Sequence, residues 1–204
     1  MKFITASNLR YYDLAKKCMD SLLTFGYEFT FYNLENCVEG INAIKETNVK
    51  FNTKGYYLSN GIYLSKALFK PQVVKHALQN ETDKLIVWID ADAQVLKPFE
   101  IKEAFDVGVC ERPKWDKSLT VWGDPRGKYN AGVIFFQNTP ETVKFVDDWV
   151  SLTPELRGDQ HALNKLVADK TRRTVVKIFP SIYNDFEPSS ETIIFHQKGR
   201  KKEL

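Results

Sequence analysis

Two aspartates close an apolar segment near the middle of the chain. The segment is Lys84-Leu-Ile-Val-Trp-Ile-Asp90-Ala-Asp92, and its run of β-branched and aromatic residues predicts a strand buried on both faces. Ligands of open α/β sheets bind beyond the carboxyl ends of the strands, and residues i and i+2 of an extended chain point to the same side. Asp90 and Asp92 are therefore predicted to converge on one divalent cation, because hard cations prefer oxygen ligands. The alternative for an Asp-x-Asp motif is a pair of solvated loop acids.

A histidine near the end of the chain is a further candidate metal ligand, and the basic tail that follows it is a candidate binding segment for phosphate groups. His196 closes the apolar segment 192–195 and precedes Gly199 and Lys202. Neutral imidazole is a common metal ligand, so His196 is a candidate third ligand, although a lone histidine at a strand end is more often structural. Gly199 would let the following loop fold over a diphosphate, and Lys202 would neutralise the diphosphate as a point charge.

Small and amide side chains lie between the acids and the histidine. In the segment 129–132, Tyr-Asn-Ala-Gly, small residues permit close approach of a ligand or of another backbone, whereas the alternative is a plain strand entry. In Gly158-Asp-Gln160, Asp159 is predicted to cap a helix, which places Gln160 in the first turn, where it could point toward a bound sugar. The segment 179–184 is predicted to be a mainly structural turn with aromatic packing.

The elements that must hold these residues alternate along the chain. Apolar spacing and the positions of Gly, Pro and capping residues predict strands at 2–7, 28–34, 84–90, 106–110, 129–136, 174–179 and 192–195, and helices at 13–25, 71–78, 139–152 and 159–170. Residues 35–61 are predicted to be irregular, and 111–128 a long functional loop. The alternation predicts a single three-layer α/β domain over residues 1–204, with a mostly parallel mixed sheet and a basic tail at about 196–204.

Composition excludes several functional classes. The 204 residues are 43% hydrophobic and 13% aromatic, which predicts a sizeable core. The net charge of +3 and the lack of a concentrated basic stripe argue against a nucleic-acid partner. The basic tail is interpreted as a solvated end or a weak membrane-surface contact. Three widely spaced cysteines, Cys18, Cys37 and Cys110, predict free thiols. No signal peptide and no transmembrane run are recognised, so a cytoplasmic location is expected.

The order of these motifs resembles that of a known enzyme group. Asp-x-Asp at 90–92, Asn-Ala-Gly at 130–132, Asp-Gln at 159–160 and His-x-x-Gly-x-x-Lys at 196–202 look like the motifs of a GT-A glycosyltransferase. The likeness is strongest to the family 8 group of retaining enzymes and extends from Phe3 to Lys202. It implies a GT-A, Rossmann-like domain that moves a hexose from a nucleoside-diphosphate sugar, with uridine as the base, to a carbohydrate or other hydroxyl acceptor.

The resemblance also implies roles for individual residues. Asp90, Asp92 and His196 would bind the metal, usually Mn²⁺ and otherwise Mg²⁺, and Asp159 and Gln160 would flank the reacting sugar carbon as catalytic residues. Donor contacts would come from Ala6, Ser7, Asn8, Tyr11, Lys66, Lys70, Asp90, Ala91, Asn130, Ala131, Gly132, Gly199 and Lys202. Tyr12 is an alternative to Tyr11 for stacking on the base. The Pro-Trp that often follows the last lysine is replaced by Glu203, and the chain is short for the family, which leaves the acceptor open.

The stereochemical outcome is open from the residues alone. If configuration is retained, the leaving diphosphate can take the proton of the acceptor, and Gln160 orients and stabilises the cation-like sugar carbon. If configuration is inverted, a carboxylate base is required, and Asp159 or Asp124 is the candidate. The resemblance favours retention.

Two other functional classes compete with glycosyl transfer. A sugar-phosphate nucleotidyltransferase would share the α/β fold and the metal, but it usually has a glycine-rich, arginine-bearing loop after the first strand, whereas residues 6–11 contain no glycine. A non-catalytic nucleotide-sugar-binding module would often have lost the acids or the histidine, and Asp90, Asp92 and His196 are all present.

Overall fold

The elements of the fold are taken from a computed structural model, which describes residues 1–34, 56–57, 63–64, 69–112 and 127–197. The helices are α1 Tyr12–Thr24, α2 Phe69–Asn80, α3 Pro140–Glu155 and α4 Asp159–Ala168. The strands are β1 Lys2–Ser7, β2 Glu28–Asn33, β3 Tyr56–Tyr57, β4 Tyr63–Leu64, β5 Leu85–Ile89, β6 Ala93–Val95, β7 Val107–Glu111, β8 Tyr129–Gln137, β9 Val176–Phe179 and β10 Ile194–His196. Among the helices within these ranges, none combines the length and the apolar character needed to cross a bilayer.

A mixed sheet of six strands forms the centre of the fold, in the order β2-β1-β5-β8-β7-β9. Strand β1 pairs in parallel with β2 and β5, and β7 pairs in parallel with β9. Strand β8 runs antiparallel to both of its neighbours, β5 and β7. The predicted α/β fold with a mixed sheet is confirmed, and β8 is the strand that interrupts the parallel arrangement.

The two faces of the sheet bury two separate apolar cores, so the fold has three layers. On one face, Phe3 and Val87 pack with Leu22 of α1. On the other face, Ile4 and Trp88 belong to the core that α2, α3 and α4 cover. Neighbouring residues of β1 and β5 thus enter opposite cores, as the two-residue period of a strand requires. Burial of both faces explains why the strand before the acid pair is apolar throughout.

A second, two-stranded sheet lies beside the central one and was not predicted. Strand β6 follows the acid pair directly, and β10 pairs with it antiparallel, with His196 opposite Ala93. The N–H of Val95 donates to Ser21 Oγ of α1 at 3.0 Å, and Ile194 is fully buried. This small sheet brings a segment from the last part of the chain back to the residues that follow β5.

Two helices begin differently from the prediction. Helix α1 begins at Tyr12 after Tyr11 as its N-cap, so Asp13 lies inside the first turn instead of capping the helix. Helix α4 begins at Asp159 itself, and Gly158 is the N-cap. The two capping predictions are therefore wrong by one or two residues. The reason is that an acid is also stabilised inside the first turn, where it interacts with the positive end of the helix dipole.

Candidate functional site

Three side chains that can bind a metal meet at the carboxyl end of β5. Nε2 of His196 lies 3.1 Å from Asp92 Oδ1 and 3.8 Å from Asp90 Oδ2. One ligand atom from each of the three residues lies within 4.8 Å of the other two. His196 is buried and the acids are half-buried. The structure thus brings together the three residues that the sequence analysis predicted to form one site.

The acids converge by a turn, so the predicted extended geometry is wrong. Strand β5 ends at Ile89, and the N–H of Ala93 donates to the carbonyl oxygen of Asp90 at 2.9 Å, which closes a four-residue turn with Ala91 inside it. Strand β10 then places His196 beside this turn, because the N–H of Gln197 donates to the carbonyl oxygen of Asp92 at 2.9 Å.

The donor set fits a divalent cation. Two carboxylates and one imidazole can hold a divalent cation, and three protein ligands leave coordination positions for further oxygen ligands. Oδ1 of Asp90 already accepts hydrogen bonds from Trp88 Nε1 at 2.7 Å and from Lys70 Nζ at 2.8 Å. Its second oxygen, Oδ2, is the atom that faces His196. Burial raises the pKa of the Asp90 carboxyl, Asp92 adds to this rise, and Lys70 and His196 oppose it.

A buried lysine connects the acid pair with α4. Nζ of Lys70 lies 2.8 Å from Asp90 Oδ1 and 3.0 Å from Asp159 Oδ2, and it donates to the carbonyl oxygen of Ala131 at 2.9 Å. An ammonium group has three hydrogens, so each has an acceptor here. Burial by itself lowers the pKa of Lys70, but the carboxylates of Asp159 and Asp90 outweigh it and raise the pKa above the usual value. Lys70 is therefore charged.

Asp159 and Gln160 open α4 beside β8. Oδ1 of Asp159 accepts from the N–H of Gln160 at 2.8 Å, while Oδ2 faces Lys70. The carbonyl oxygen of Asp159 accepts from Trp149 Nε1 at 2.8 Å. Oε1 of Gln160 lies 3.5 Å from the N–H of Ala131. Both carboxylate oxygens of Asp159 are thus engaged within the protein, and Gln160 lies against the strand that carries the Asn-Ala-Gly segment.

A chain of buried amides runs behind the His196 ring. The N–H of Gly132 donates to Asn130 Oδ1 at 2.6 Å, and Asn184 Nδ2 donates to the same oxygen at 2.8 Å. Oδ1 of Asn184 lies 2.8 Å from His196 Nδ1. A Cβ atom at Gly132 would lie 2.3 Å from His196 Cε1. The close approach predicted at this glycine is therefore used by the protein's own imidazole.

The end of β1 carries the residues predicted to hold a nucleoside. Ala6 and Ser7 are buried there, and Asn8 follows. Oδ1 of Asn8 is buried and has no hydrogen-bond partner among the described residues. Tyr11 is 42% exposed, whereas Tyr12 packs edge-on against Phe31. Tyr11 is therefore the better placed of the two tyrosines to stack on a base.

Some predicted site residues lie outside the described part of the chain. These are Lys66, Asp124, Gly199, Lys202 and residues 113–126 of the predicted functional loop. Cys37 lies outside it as well, while Cys18 and Cys110 are free thiols, as expected.

Two side chains of the site, Trp88 and Asn184, escaped the sequence analysis. Trp88 had a usable signal, since it lies in the predicted apolar strand, two positions before Asp90. Asn184 had no such signal, because it ends the segment 179–184, whose aromatic residues predict a structural turn. The ring of Tyr183 does pack against Phe135 and Phe179.

The architecture around this site is shared with solved enzymes. No protein-family model and no curated protein matches the sequence. The structure is similar to the crystal structure of a glycosyltransferase involved in the glycosylation of the major capsid of PBCV-1, with a TM-score of 0.62 and 11% identity over 97% of this chain and 94% of that one. The chain has a glycosyltransferase fold.

A second similarity points to the same fold. The glycosyltransferase GlyE of Streptococcus pneumoniae TIGR4 has a TM-score of 0.59 and 16% identity, covering 98% of this chain and 56% of GlyE. Its apo form has a TM-score of 0.62 and 15% identity, with 98% and 55% covered. The chain thus spans little more than half the length of GlyE. At these identities the likeness establishes the fold, and the activity has to be argued from the site.

Proposed function

We propose that the chain is a metal-dependent glycosyltransferase that moves a sugar from a nucleoside-diphosphate sugar to a hydroxyl acceptor. The observation that carries the proposal is the meeting of Asp90, Asp92 and His196 at the carboxyl end of β5 on a glycosyltransferase fold. Ligands of α/β sheets bind at this edge. The ordered motifs favour family 8, a UDP-hexose donor and Mn²⁺, with Mg²⁺ as the alternative ion.

Asp90, Asp92 and His196 would hold the metal. When bound there, a divalent ion supplies positive charge to the diphosphate as that group leaves the sugar. Trp88 and Lys70 both donate to Oδ1 of Asp90 and so leave Oδ2 as the oxygen that faces the site. This arrangement fixes the carboxylate before any ligand arrives, which reduces the reorganisation needed during the reaction.

The nucleoside would lie at the end of β1. A buried Oδ1 of Asn8 without a partner in the described region supports this placement, because a nucleobase N–H could satisfy that acceptor. Uracil carries such an N–H beside its carbonyl groups. The exposed ring of Tyr11 offers a stacking face, and the guanidinium of Arg10 lies 5.5 Å from the centre of that ring.

The donor sugar would lie between β8 and the start of α4. Oδ1 of Asn130 is occupied by two internal hydrogen bonds, so the NH₂ group is the part of this side chain left for a sugar hydroxyl. Gln160 stands at the first turn of α4, where a neutral amide orients the sugar and stabilises positive charge at the reacting carbon. Ala91, Ala131 and Gly132 would contact the donor through their backbones or small side chains.

The pairing of Asp159 with Lys70 supports retention of configuration. Lys70 and the Gln160 N–H hold the Asp159 carboxylate, and these internal contacts account for its position without a role as the base that would take a proton from an acceptor hydroxyl. Transfer of that proton to the leaving diphosphate needs no such base. Lys66, Gly199 and Lys202 remain predicted donor contacts, and the single domain, the cytoplasmic location and the absence of a nucleic-acid partner remain predictions.

The decisive experiment is a screen of nucleoside-diphosphate sugars for metal-dependent release of the nucleoside diphosphate. Release is expected from a UDP-hexose with Mn²⁺ and should disappear when the metal is chelated. Asp92→Asn should abolish release and keep the fold, while Asp20→Asn, a change at an exposed acid of α1, should leave release unchanged. Donor binding without turnover would indicate a binding module. Pyrophosphate formed from a nucleoside triphosphate and a sugar phosphate would indicate a nucleotidyltransferase.

A further inference from the structure

The orientation of two buried amides is determined by a single backbone group. The N–H of Gly132 can only donate, so the atom of Asn130 that lies 2.6 Å from it must be the carbonyl oxygen Oδ1. The atom of Asn184 that lies 2.8 Å from this oxygen must then be the donor Nδ2. It follows that the other end of the Asn184 amide, which faces His196, is the acceptor Oδ1.

This order assigns the proton on the histidine ring. Oδ1 of Asn184 lies 2.8 Å from His196 Nδ1, and an oxygen acceptor at that distance requires a hydrogen on the nitrogen. The opposite nitrogen, Nε2, lies 3.1 Å from Asp92 Oδ1 and 3.8 Å from Asp90 Oδ2. Any hydrogen that it shares with these acids in the metal-free protein would leave when a cation binds Nε2. A metal binds the ring nitrogen that carries a lone pair, and the hydrogen bond of the other nitrogen decides which one that is.

We infer that Asn184 is a positioning residue that holds a proton on Nδ1 of His196, so that Nε2 is offered to a cation between Asp90 and Asp92. This inference rests on the proposed metal dependence. Asn130 and Gly132 act through Asn184, since they fix the direction of its amide.

The packing around the amides prevents the alternative arrangement. Asn184 is 0% exposed, Asn130 5% and His196 5%, so water cannot replace a lost partner. A flipped Asn184 amide would set its oxygen against Oδ1 of Asn130, which is a buried contact between two acceptors. The His196 ring is also held between Phe186, whose centre lies 5.3 Å away, and the space left by the missing side chain of Gly132.

Nitrogen NMR of protein labelled with ¹⁵N-histidine tests the assignment directly and needs neither a sugar nor turnover. Spectra would be recorded for the full chain without metal and with Mg²⁺. We expect Nδ1 of His196 to carry a proton in both spectra and Nε2 to be the nitrogen whose shift responds to Mg²⁺. A wild-type Nδ1 without a proton, or a Mg²⁺ response at Nδ1, would overturn the inference.

Variants separate positioning from a purely structural role. Asn184→Leu removes the acceptor, and its Mn²⁺ affinity, measured by electron paramagnetic resonance, is expected to fall about ten- to hundredfold, together with loss of the single Nδ1-protonated form. Asn184→Asp keeps an acceptor for Nδ1–H but sets its second oxygen against Oδ1 of Asn130. It should therefore lose stability, retain the Nδ1-protonated form and bind Mn²⁺ more tightly than Asn184→Leu does. Equal affinities for the wild type and Asn184→Leu would overturn the proposed positioning.

Thr192→Val is the matched control for lost packing near the ring. Thr192 is fully buried, and its hydroxyl donates to Oδ2 of Asp185 at 2.6 Å. Asp185 follows Asn184 in the chain, and this hydrogen bond does not involve the imidazole of His196. It should lose stability and keep the wild-type Mn²⁺ affinity. An equal loss of affinity in Thr192→Val and Asn184→Leu would make Asn184 merely structural. A wild-type protein that binds no Mn²⁺ would instead overturn the proposed metal dependence, while the metal-free spectrum would still decide the Nδ1 proton.

Discussion

At the scale of single residues, the charge of a buried lysine compensates the acids around it. Lys70 balances Asp90 and Asp159 at the back of the site, while His196 faces Asp90 and Asp92 at the front. Loss of one partner from a buried ion pair leaves an uncompensated charge, which costs far more than the loss of a surface pair. Two lysines of α2 allow this difference to be measured.

Lys70→Met should destabilise the metal-free protein by about 3–5 kcal/mol near neutral pH, as measured by urea unfolding. The loss should shrink as the pH falls, because burial raises the pKa of Asp90 and protonation removes the uncompensated charge. Lys75→Met is the control on the same helix, since Lys75 pairs with Asp147 where both side chains are over 40% exposed; it should cost at most about 1 kcal/mol. Equal losses in the two variants would contradict the balancing role of Lys70.

Gly132→Ala should weaken Mn²⁺ binding about ten- to hundredfold. The added methyl would lie 2.3 Å from His196 Cε1 and 2.4 Å from Nδ1, so the ring must leave the position in which Nε2 faces the acids. Isothermal titration with Mn²⁺ measures the effect. Gly158→Ala is the control, because a Cβ there meets nothing within 4 Å, and it should keep the wild-type affinity. An unchanged affinity in Gly132→Ala would show that the ring can shift without cost to the metal site.

Gln160→Ala should lower kcat by roughly ten- to a thousandfold, about 1.4–4 kcal/mol in the barrier, with little change in KM for the donor. The reason is that a neutral amide at this place can orient the sugar and stabilise charge at its reacting carbon. Lys165→Ala, at an exposed position of the same helix, controls for effects on α4. A raised KM with unchanged kcat would move Gln160 from catalysis to ground-state binding.

At the scale of elements, the start of α3 is joined to the central sheet through Asp106. Oγ1 of Thr139, the N-cap of α3, accepts from the N–H of Thr142 at 3.1 Å and donates to Asp106 Oδ1 at 2.6 Å. The other carboxylate oxygen of Asp106 accepts from the N–H of Val175 at 2.7 Å, just before β9. One acid therefore ties a helix start to the edge of the sheet, far along the chain from the acid pair.

Thr139→Ala should lower the free energy of unfolding by about 1–2 kcal/mol, because the cap and the bond to Asp106 are lost together. Thr139→Ser keeps the hydroxyl group and should stay close to the wild type. Chemical denaturation monitored by circular dichroism measures both. Mn²⁺ affinity should remain unchanged in either variant, and a loss of metal binding would show that the α3 end of the sheet is coupled to the site.

At the scale of the whole molecule, the site lies where the two cores meet one edge of the sheet. Asp90 follows β5, which contributes Ile86 and Trp88 to one core and Val87 and Ile89 to the other. A ligand that binds only the folded chain must stabilise all of it, by an amount that grows with the ratio of ligand concentration to dissociation constant. Binding of a donor or a metal can therefore be measured as a gain in the free energy of unfolding, and this measurement does not require the acceptor to be known.

UDP together with Mn²⁺, each at one hundred times its dissociation constant, should add about 2.7 kcal/mol of stability per bound ligand. For a chain of this length, each such contribution corresponds to a rise in Tm of roughly 5–11 °C, measured by differential scanning calorimetry. Neither addition alone should reach the combined shift. Asp92→Asn should lose the Mn²⁺-dependent part, and a full shift in this variant would place the metal elsewhere.

The sequence by itself determined the α/β class, the positions of most strands and helices, and the three residues that meet in the candidate metal cluster. Apolar runs and turn residues are local signals, so β5 and α3 could be predicted within a few residues. Tertiary structure alone decided the reversal of β8, the β6–β10 pair that brings His196 to Asp92, and the amide chain through Asn184. These depend on contacts between residues far apart in the chain, such as Asn130 and Asn184, and no local pattern encodes which distant hydrogen-bonding groups will meet.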